Sequence, residues 1–133
     1  STQNVQFTHK PTGWPCFADY AESAQQIIIC EGWATGCTLA EEEPDTFVVA
    51  AIDAGNLMSV AMQARACLPD AEIIIAGDDD RHTDGNPGAT KARAAAVAAR
   101  ALLALPEWPE DSPDHLTDFN DLAVWQAGGM RHE

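Results

Sequence analysis

The acids of this 133-residue sequence gather where apolar runs end. Glu31 follows Gln26-Ile27-Ile28-Ile29-Cys30, Asp53 follows Phe47-Val48-Val49-Ala50-Ala51-Ile52, and Asp78-Asp79-Asp80 follow Glu72-Ile73-Ile74-Ile75-Ala76-Gly77. If a fold brings such groups together they repel, by roughly 4 kcal/mol for two unit charges about 4 Å apart at an effective dielectric near 20. Either raised pKa values or a cation must relieve that repulsion. A set of hard oxygen donors suits Mg²⁺ or Mn²⁺, which complete their octahedra with water and phosphate oxygens, the setting of phosphoryl transfer. The competing reading of the three aspartates is a solvated turn.

The elements that must position these acids follow from hydrophobic pattern. Residues 26–30, 47–52 and 72–76 are short, continuous, largely β-branched runs, as expected of strands buried on both faces. Helices are expected over 34–43, over 57–68 before Pro69, and over 89–105 with Pro87 in the preceding loop suited to a first turn. Leu102 to Leu105 belong to that last helix or begin a fourth strand. Residues 106–116 hold three prolines and four acids and read as a loop. Thr117-Asp118 can cap a final helix through about Gln126, with Gly128 as its stop.

Residues 1–24, with Pro11, Gly13, Pro15 and scattered aromatics, read as an irregular or edge-strand segment. The domain proper is expected over 25–127, with 128–133 as a tail. Strands alternating with helices argue for an α/β fold, a mainly parallel sheet of about four strands with helices on both faces. Right-handed crossovers then place the chemistry at the C-terminal edge of the sheet. Side chains alternate along a strand, so Asp78 and Asp80 should point one way and Asp79 the other. If the strands at 26–30 and 72–76 are neighbours, Glu31 lies within a few ångströms of the aspartate pair.

Composition excludes several classes. With 46% hydrophobic residues the chain can bury one core, so default disorder is excluded, as are two large domains. Seven Lys and Arg against 21 Asp and Glu give a formal charge of -14, which opposes unaided binding to a phosphate backbone. Any nucleic-acid role must come through metal ions or neighbouring domains. No apolar run approaches the roughly 18 residues of a membrane span and no signal segment opens the chain, so a cytoplasmic setting is expected. The chain starts at Ser1 without an initiator methionine and is expected to be part of a longer protein. Cys16, Cys30, Cys37 and Cys67 form no CxxC pair and read as structural thiols. No P-loop, GxSxG or GxGxxG pattern occurs. A phosphoacceptor receiver domain would need an acid pair after the first buried strand, where this chain has Glu31-Gly32.

At this point the residues resemble the Toprim fold, a Rossmann-like α/β fold shared by bacterial primases, type IA and type II topoisomerases and several nucleases. Its glutamate after the first strand and DxD after the third match Glu31 and Asp78-x-Asp80. The likeness is closer to the TraC-like primases of conjugative plasmids and satellite phages, whose EGYATG motif resembles Glu31-Gly32-Trp33-Ala34-Thr35-Gly36. It extends through Asp53-Ala54-Gly55-Asn56-Leu57, Ala76-Gly77-Asp78-Asp79-Asp80, Asn86-Pro87-Gly88, Lys91-Ala92 and Thr117-Asp118-Phe119-Asn120-Asp121-Leu122, over roughly residues 25 to 124.

The resemblance implies a metal-dependent catalytic domain of a DNA primase, polymerising ribonucleotides into RNA primers on single-stranded DNA. It casts Glu31 as general acid/base or metal ligand, Asp78 and Asp80 as the metal pair with Mg²⁺ or Mn²⁺, and Asp118, with Asn120 or Asp121 nearby, as a late acidic motif for a second ion. Many relatives carry an acid four residues after the glutamate, where this chain has Thr35, so the second site is expected to be weaker or differently built. Arg81, beside the DxD, and Lys91 and Arg93, early in the third helix, contact nucleotide phosphates or are solvated surface. Asp53 joins the acidic edge or caps the next helix; Asn56 has the same choice. Trp33 packs or shapes the mouth of the site. Trp14, Trp108 and Trp125 stack bases or, more commonly, pack.

The partners implied are single-stranded DNA, ribonucleotides and a partner or fused helicase, with no membrane. Two other readings compete. One is a Toprim nuclease or strand-breaking domain, although Tyr20, the only tyrosine, lies outside the motifs. The other is a non-enzymatic acidic module that docks a replication partner.

Overall fold

The computed structural model describes residues 5–7, 26–52 and 54–131. They form β1 (Val5–Phe7), β2 (Gln26–Cys30), α1 (Trp33–Glu42), β3 (Phe47–Ala50), α2 (Ala54–Cys67), β4 (Glu72–Ala76), α3 (Pro87–Ala99), β5 (Leu102–Ala104) and α4 (Phe119–Arg131). The strands make one sheet in the order β1-β3-β2-β4-β5, and every pairing is parallel. The sheet thus has five strands rather than about four, because Val5–Phe7 pairs beside β3 as an edge. Asp53 and the expected irregular stretch from 8 to 24 lie outside the described residues.

The two-face burial expected of the isoleucine runs is what divides the core. Ile27, Ile29, Val49, Ile73 and Ile75 point to one face, where Val60, Ala61 and Ala64 of α2 and Ala92, Ala95, Ala96 and Ala99 of α3 cover them. Ile28, Cys30, Val48, Ala50 and Ala76 point to the other face, under Leu39 and Ala40 of α1 with Phe119 of α4 beside them. Each fully buried isoleucine contributes about 1.5–3 kcal/mol relative to exposure. Small residues let α3 come close. A Cβ on Gly77 would sit 2.4 Å from the Cβ of Ala92, so a side chain there would push α3 off the end of β4.

Several element ends differ from the expectation for local reasons. Helix α2 starts at Ala54, before the expected Leu57, and Asn56 in its first turn donates its side-chain amide back to the Ala51 carbonyl, 3.1 Å away. Helix α3 stops at Ala99, and the residues expected as its end or as a strand form β5. Arg100 takes a left-handed conformation (φ 53°), and the Ala101 amide reaches the Ala96 carbonyl at 2.8 Å, closing the helix without the usual glycine. Gly128 does not stop α4, which continues to Arg131; the domain end expected at 127 falls inside this helix. A glycine within a helix costs about 1 kcal/mol, too little to end it alone. Among the described residues no helix is long and apolar enough to cross a membrane.

At the N-terminal edge of the strands, one side chain ties the helix ends together. Arg65 donates from Nε to Ala99 O at 2.8 Å, from Nη1 to Leu68 O, Pro69 O and Ala71 O at 3.4, 3.0 and 2.7 Å, and from Nη2 to Arg100 O at 3.1 Å. Only a guanidinium presents donors in this fan. Arg65→Lys is expected to lower stability by about 1–3 kcal/mol in urea unfolding, because several C-terminal carbonyls lose their partner.

Candidate functional site

Register places the first two acids. Strands β2 and β4 are neighbours, and Cys30 pairs with Ala76 at their C-terminal ends. Glu31 and Gly77 are therefore the next residues out, with Asp78 one further. The Ile52 amide donates to the Glu31 carbonyl at 2.7 Å, which holds the glutamate backbone against β3. Ile52 itself sits at φ 81°, a costly conformation for a β-branched residue and a mark of strain beside the acidic edge.

Asp78 is half-buried, and its carboxyl pKa is pushed up to about 8. Burial is the largest cause, followed by a hydrogen bond to Glu31, then the charges of Glu31, Asp118 and Asp80. Asp118 acts on Asp78 more strongly than Asp80 does, so the late acidic motif is part of this edge. The Asp118 pKa is itself raised, chiefly by burial; the backbone amide of Asp121 and the hydroxyl of Thr35 oppose the rise. Thr35 is 2% exposed. The Thr35 hydroxyl thus faces Asp118 and favours its charge.

The DxD loop divides its carboxylates. Asp80 Oδ2 accepts the Gly88 amide at 2.8 Å, and a Cβ on Gly88 would lie 2.8 Å from that oxygen and 2.9 Å from Asp78 Cβ. Only glycine lets the N-terminus of α3 rest on both aspartates. Asp79 instead faces Asn86 and Trp108. Asn86 caps α3 by accepting the Ala89 amide at 3.2 Å, and the same oxygen accepts the Asp80 amide at 2.7 Å.

The remaining expected site residues have the following surroundings. Asp121, expected as a metal ligand, serves a helix cap: its Oδ2 accepts the amides of Thr117 and Asp118 at 3.0 and 3.4 Å, while Asp118 Oδ1 accepts the Asp121 amide at 2.7 Å. This reciprocal pairing caps the start of α4 through Oδ2 of Asp121 and Oδ1 of Asp118. Arg81, expected at phosphates, is also engaged, donating from Nη2 to Pro113 O, Asp114 O and Leu116 O at 3.1–3.2 Å. Lys91 and Arg93 are exposed on α3. Trp33 is 40% exposed beside Glu31.

The sequence model of the Toprim domain matches residues 26–129. This chain belongs to the Toprim domain family. It is 45% identical over 132 residues to a DNA primase TraC from Escherichia coli, an alignment covering 85% of this chain and 12% of the relative. A second DNA primase TraC from the same organism is 42% identical over 106 residues, covering 71% of this chain and 7% of the relative. The chain therefore spans about a tenth of the length of these relatives. No solved structure matches it.

A Toprim domain is in general a metal-binding domain. Among the described residues no three His, Cys, Asp or Glu side chains stand in an arrangement ready to hold an ion. The donor set nevertheless fits one. Its groups are carboxylate oxygens, and burial together with Glu31, Asp118 and Asp80 raises the Asp78 carboxyl pKa, so a divalent cation would relieve the repulsion there. What pattern did not disclose is the role of Asp79, Asn86, Gly88 and Trp108; the spacing Asn86-Pro87-Gly88 was the only signal, since it put a cap and a small residue just after the aspartates.

The raised pKa of Asp78 makes stability depend on pH in a definite direction. Between about pH 4 and pH 8 the folded chain holds a proton that the unfolded chain has released, so stability is fully present below the ordinary carboxylate pKa and lost as pH rises through 8. With divalent ions chelated, Asp78→Asn is expected to exceed the parent chain in stability at pH 8 by roughly 1–2 kcal/mol, a figure discounted for Asp78's partial exposure, and to match it near pH 4. Urea unfolding at the two pH values checks this.

Proposed function

We propose that this Toprim domain is the metal-dependent catalytic domain of a DNA primase, joining ribonucleotides into RNA primers on a single-stranded DNA template within a longer replication protein. The observation that carries the reading is the parallel pairing of β2 with β4, which puts Glu31 and Asp78 at adjacent strand ends, where burial and the charges of Glu31, Asp118 and Asp80 raise the Asp78 carboxyl pKa. The printed name of both relatives, DNA primase TraC, supplies the reaction.

Glu31, Asp78, Asp80 and Asp118 are the groups that would hold Mg²⁺ or Mn²⁺, which when bound would neutralise phosphate charge and polarise the phosphoryl centre. Asp80 keeps Oδ1 for this purpose, because its recorded contact with Gly88 uses Oδ2. Glu31, at the end of β2 beside Asp78, is the group we assign to take the proton of an attacking hydroxyl. Lys91 and Arg93 are exposed on the helix whose N-terminus rests on the aspartates, where they can meet nucleotide phosphates. Asp121 likewise keeps Oδ1 beside its capping bonds for a second ion, and Arg81 stands next to the aspartates with Nη2 on the carbonyls of the 105–117 loop.

The net charge of -14 opposes unaided template binding, which we assign to metal ions and to other parts of the longer protein. A helicase partner or fused helicase domain, a plasmid or phage origin and a cytoplasmic setting complete the proposal. The test uses the full-length protein with labelled ribonucleotides, single-stranded DNA and Mg²⁺. Primer synthesis is expected, and Glu31→Gln or Asp78→Asn should each lower it about a hundredfold or more. Undiminished synthesis in both variants would remove the assignment, and cleavage of the DNA without extension would replace it with a Toprim nuclease. Synthesis independent of divalent ions would equally overturn it.

A further inference from the structure

Asp79, between the two aspartates of the DxD, and Trp108, in the proline-rich loop, have no part in the chemistry above. Asp79 Oδ1 accepts the Asn86 side-chain amide at 2.6 Å and Oδ2 accepts the Trp108 indole N–H at 2.9 Å. The Asp79 backbone amide donates to Thr117 O at 2.6 Å, immediately before Asp118. The Arg81 guanidinium lies 4.3 Å from the centroid of the Trp108 ring while it spans the carbonyls of Pro113, Asp114 and Leu116. One loop thus grips the other at its start, middle and end.

Charge makes that grip necessary. Residues 105–117 carry Glu107, Glu110, Asp111 and Asp114, and they lead into Asp118; the loop they meet carries Asp78, Asp79 and Asp80. Like charges would part these segments, and Arg81 is the one Lys or Arg between residues 77 and 90. An indole N–H on a carboxylate and a guanidinium on carbonyls and a ring face are charge-assisted contacts that can oppose the repulsion.

We propose that Asp79, Trp108 and Arg81 form a positioning clamp that fastens the 105–117 loop to the DxD loop and thereby keeps Asp118 at the acidic edge with Asp78, where the two can take up a divalent cation. The clamp rests on the metal-site reading given above, and it acts through Asp118 without touching the ion. It also accounts for the aspartate at the middle of the run, whose carboxylate faces away from Asp78 and Asp80.

The experiment titrates Mn²⁺ into the 133-residue chain by electron paramagnetic resonance, at a temperature where circular dichroism shows each variant folded. Trp108→Phe, which keeps a ring for Arg81 and removes the N–H, is expected to weaken Mn²⁺ binding about tenfold. Asp79→Ala should weaken it at least as much, and the double variant no more than Asp79→Ala alone, because both remove one contact. Arg65→Lys, destabilised at the far edge of the sheet, should bind Mn²⁺ as the parent chain does. Binding within twofold of the parent in both clamp variants, or equal weakening by Arg65→Lys, would overturn the clamp. Asp78→Asn separates the two readings: if it binds Mn²⁺ like the parent, the metal site has failed; if it loses binding while Trp108→Phe keeps it, only the clamp has.

Discussion

Everything at the working edge of this domain turns on the cost of bringing carboxylates together. Parallel pairing of β2 with β4 puts Glu31 and Asp78 at adjacent strand ends, and the turn before α4 adds Asp118. That cost, with burial, raises the carboxyl pKa of Asp78. A hard dication would relieve it, so the same repulsion that weakens the fold creates affinity for metal.

The rest of the structure resists the repulsion. Gly77 and Gly88 leave no Cβ between the aspartates and α3, so that helix presses its N-terminus onto Asp80 and its alanine face onto the isoleucines of β4. Thr35, buried in the first turn of α1, turns a hydroxyl toward Asp118, and Thr38 one turn later donates to Asn120 at 2.9 Å. Helix α1 therefore joins the segment that begins at Glu31 to the start of α4. Stability and chemistry are separated along the strands: the fan of bonds from Arg65 lies at the N-terminal edge, where it strengthens the fold without adding positive charge to the acidic edge.

Buried cysteine follows the same electrostatics. Cys30 ends β2 next to Glu31, and burial, with the charges of Asp78 and other neighbours, pushes its thiol up to about 12. The thiol is therefore inert as a nucleophile and packs as a small apolar group, in keeping with the absence of a CxxC pair.

Periodicity and residue type by themselves determined the α/β class, the three isoleucine- and valine-rich strands, the edge at which acids gather, and the Toprim membership of the chain, because these depend on local pattern and on motifs contiguous in the chain. The sequence could not decide whether Leu102 to Leu105 were helix or strand, since apolar residues suit both and the choice rested on Arg100 adopting a left-handed turn. Nor could it say that Asp121 Oδ2 would cap a helix or that Arg81 Nη2 would meet three carbonyls. Acids and cations carry the same charge in the sequence whether free or engaged. Only tertiary structure, which brings Trp108 to Asp79 and Thr35 to Asp118 across long stretches of chain, assigns each group a partner and so separates those left for chemistry from those that hold it in place.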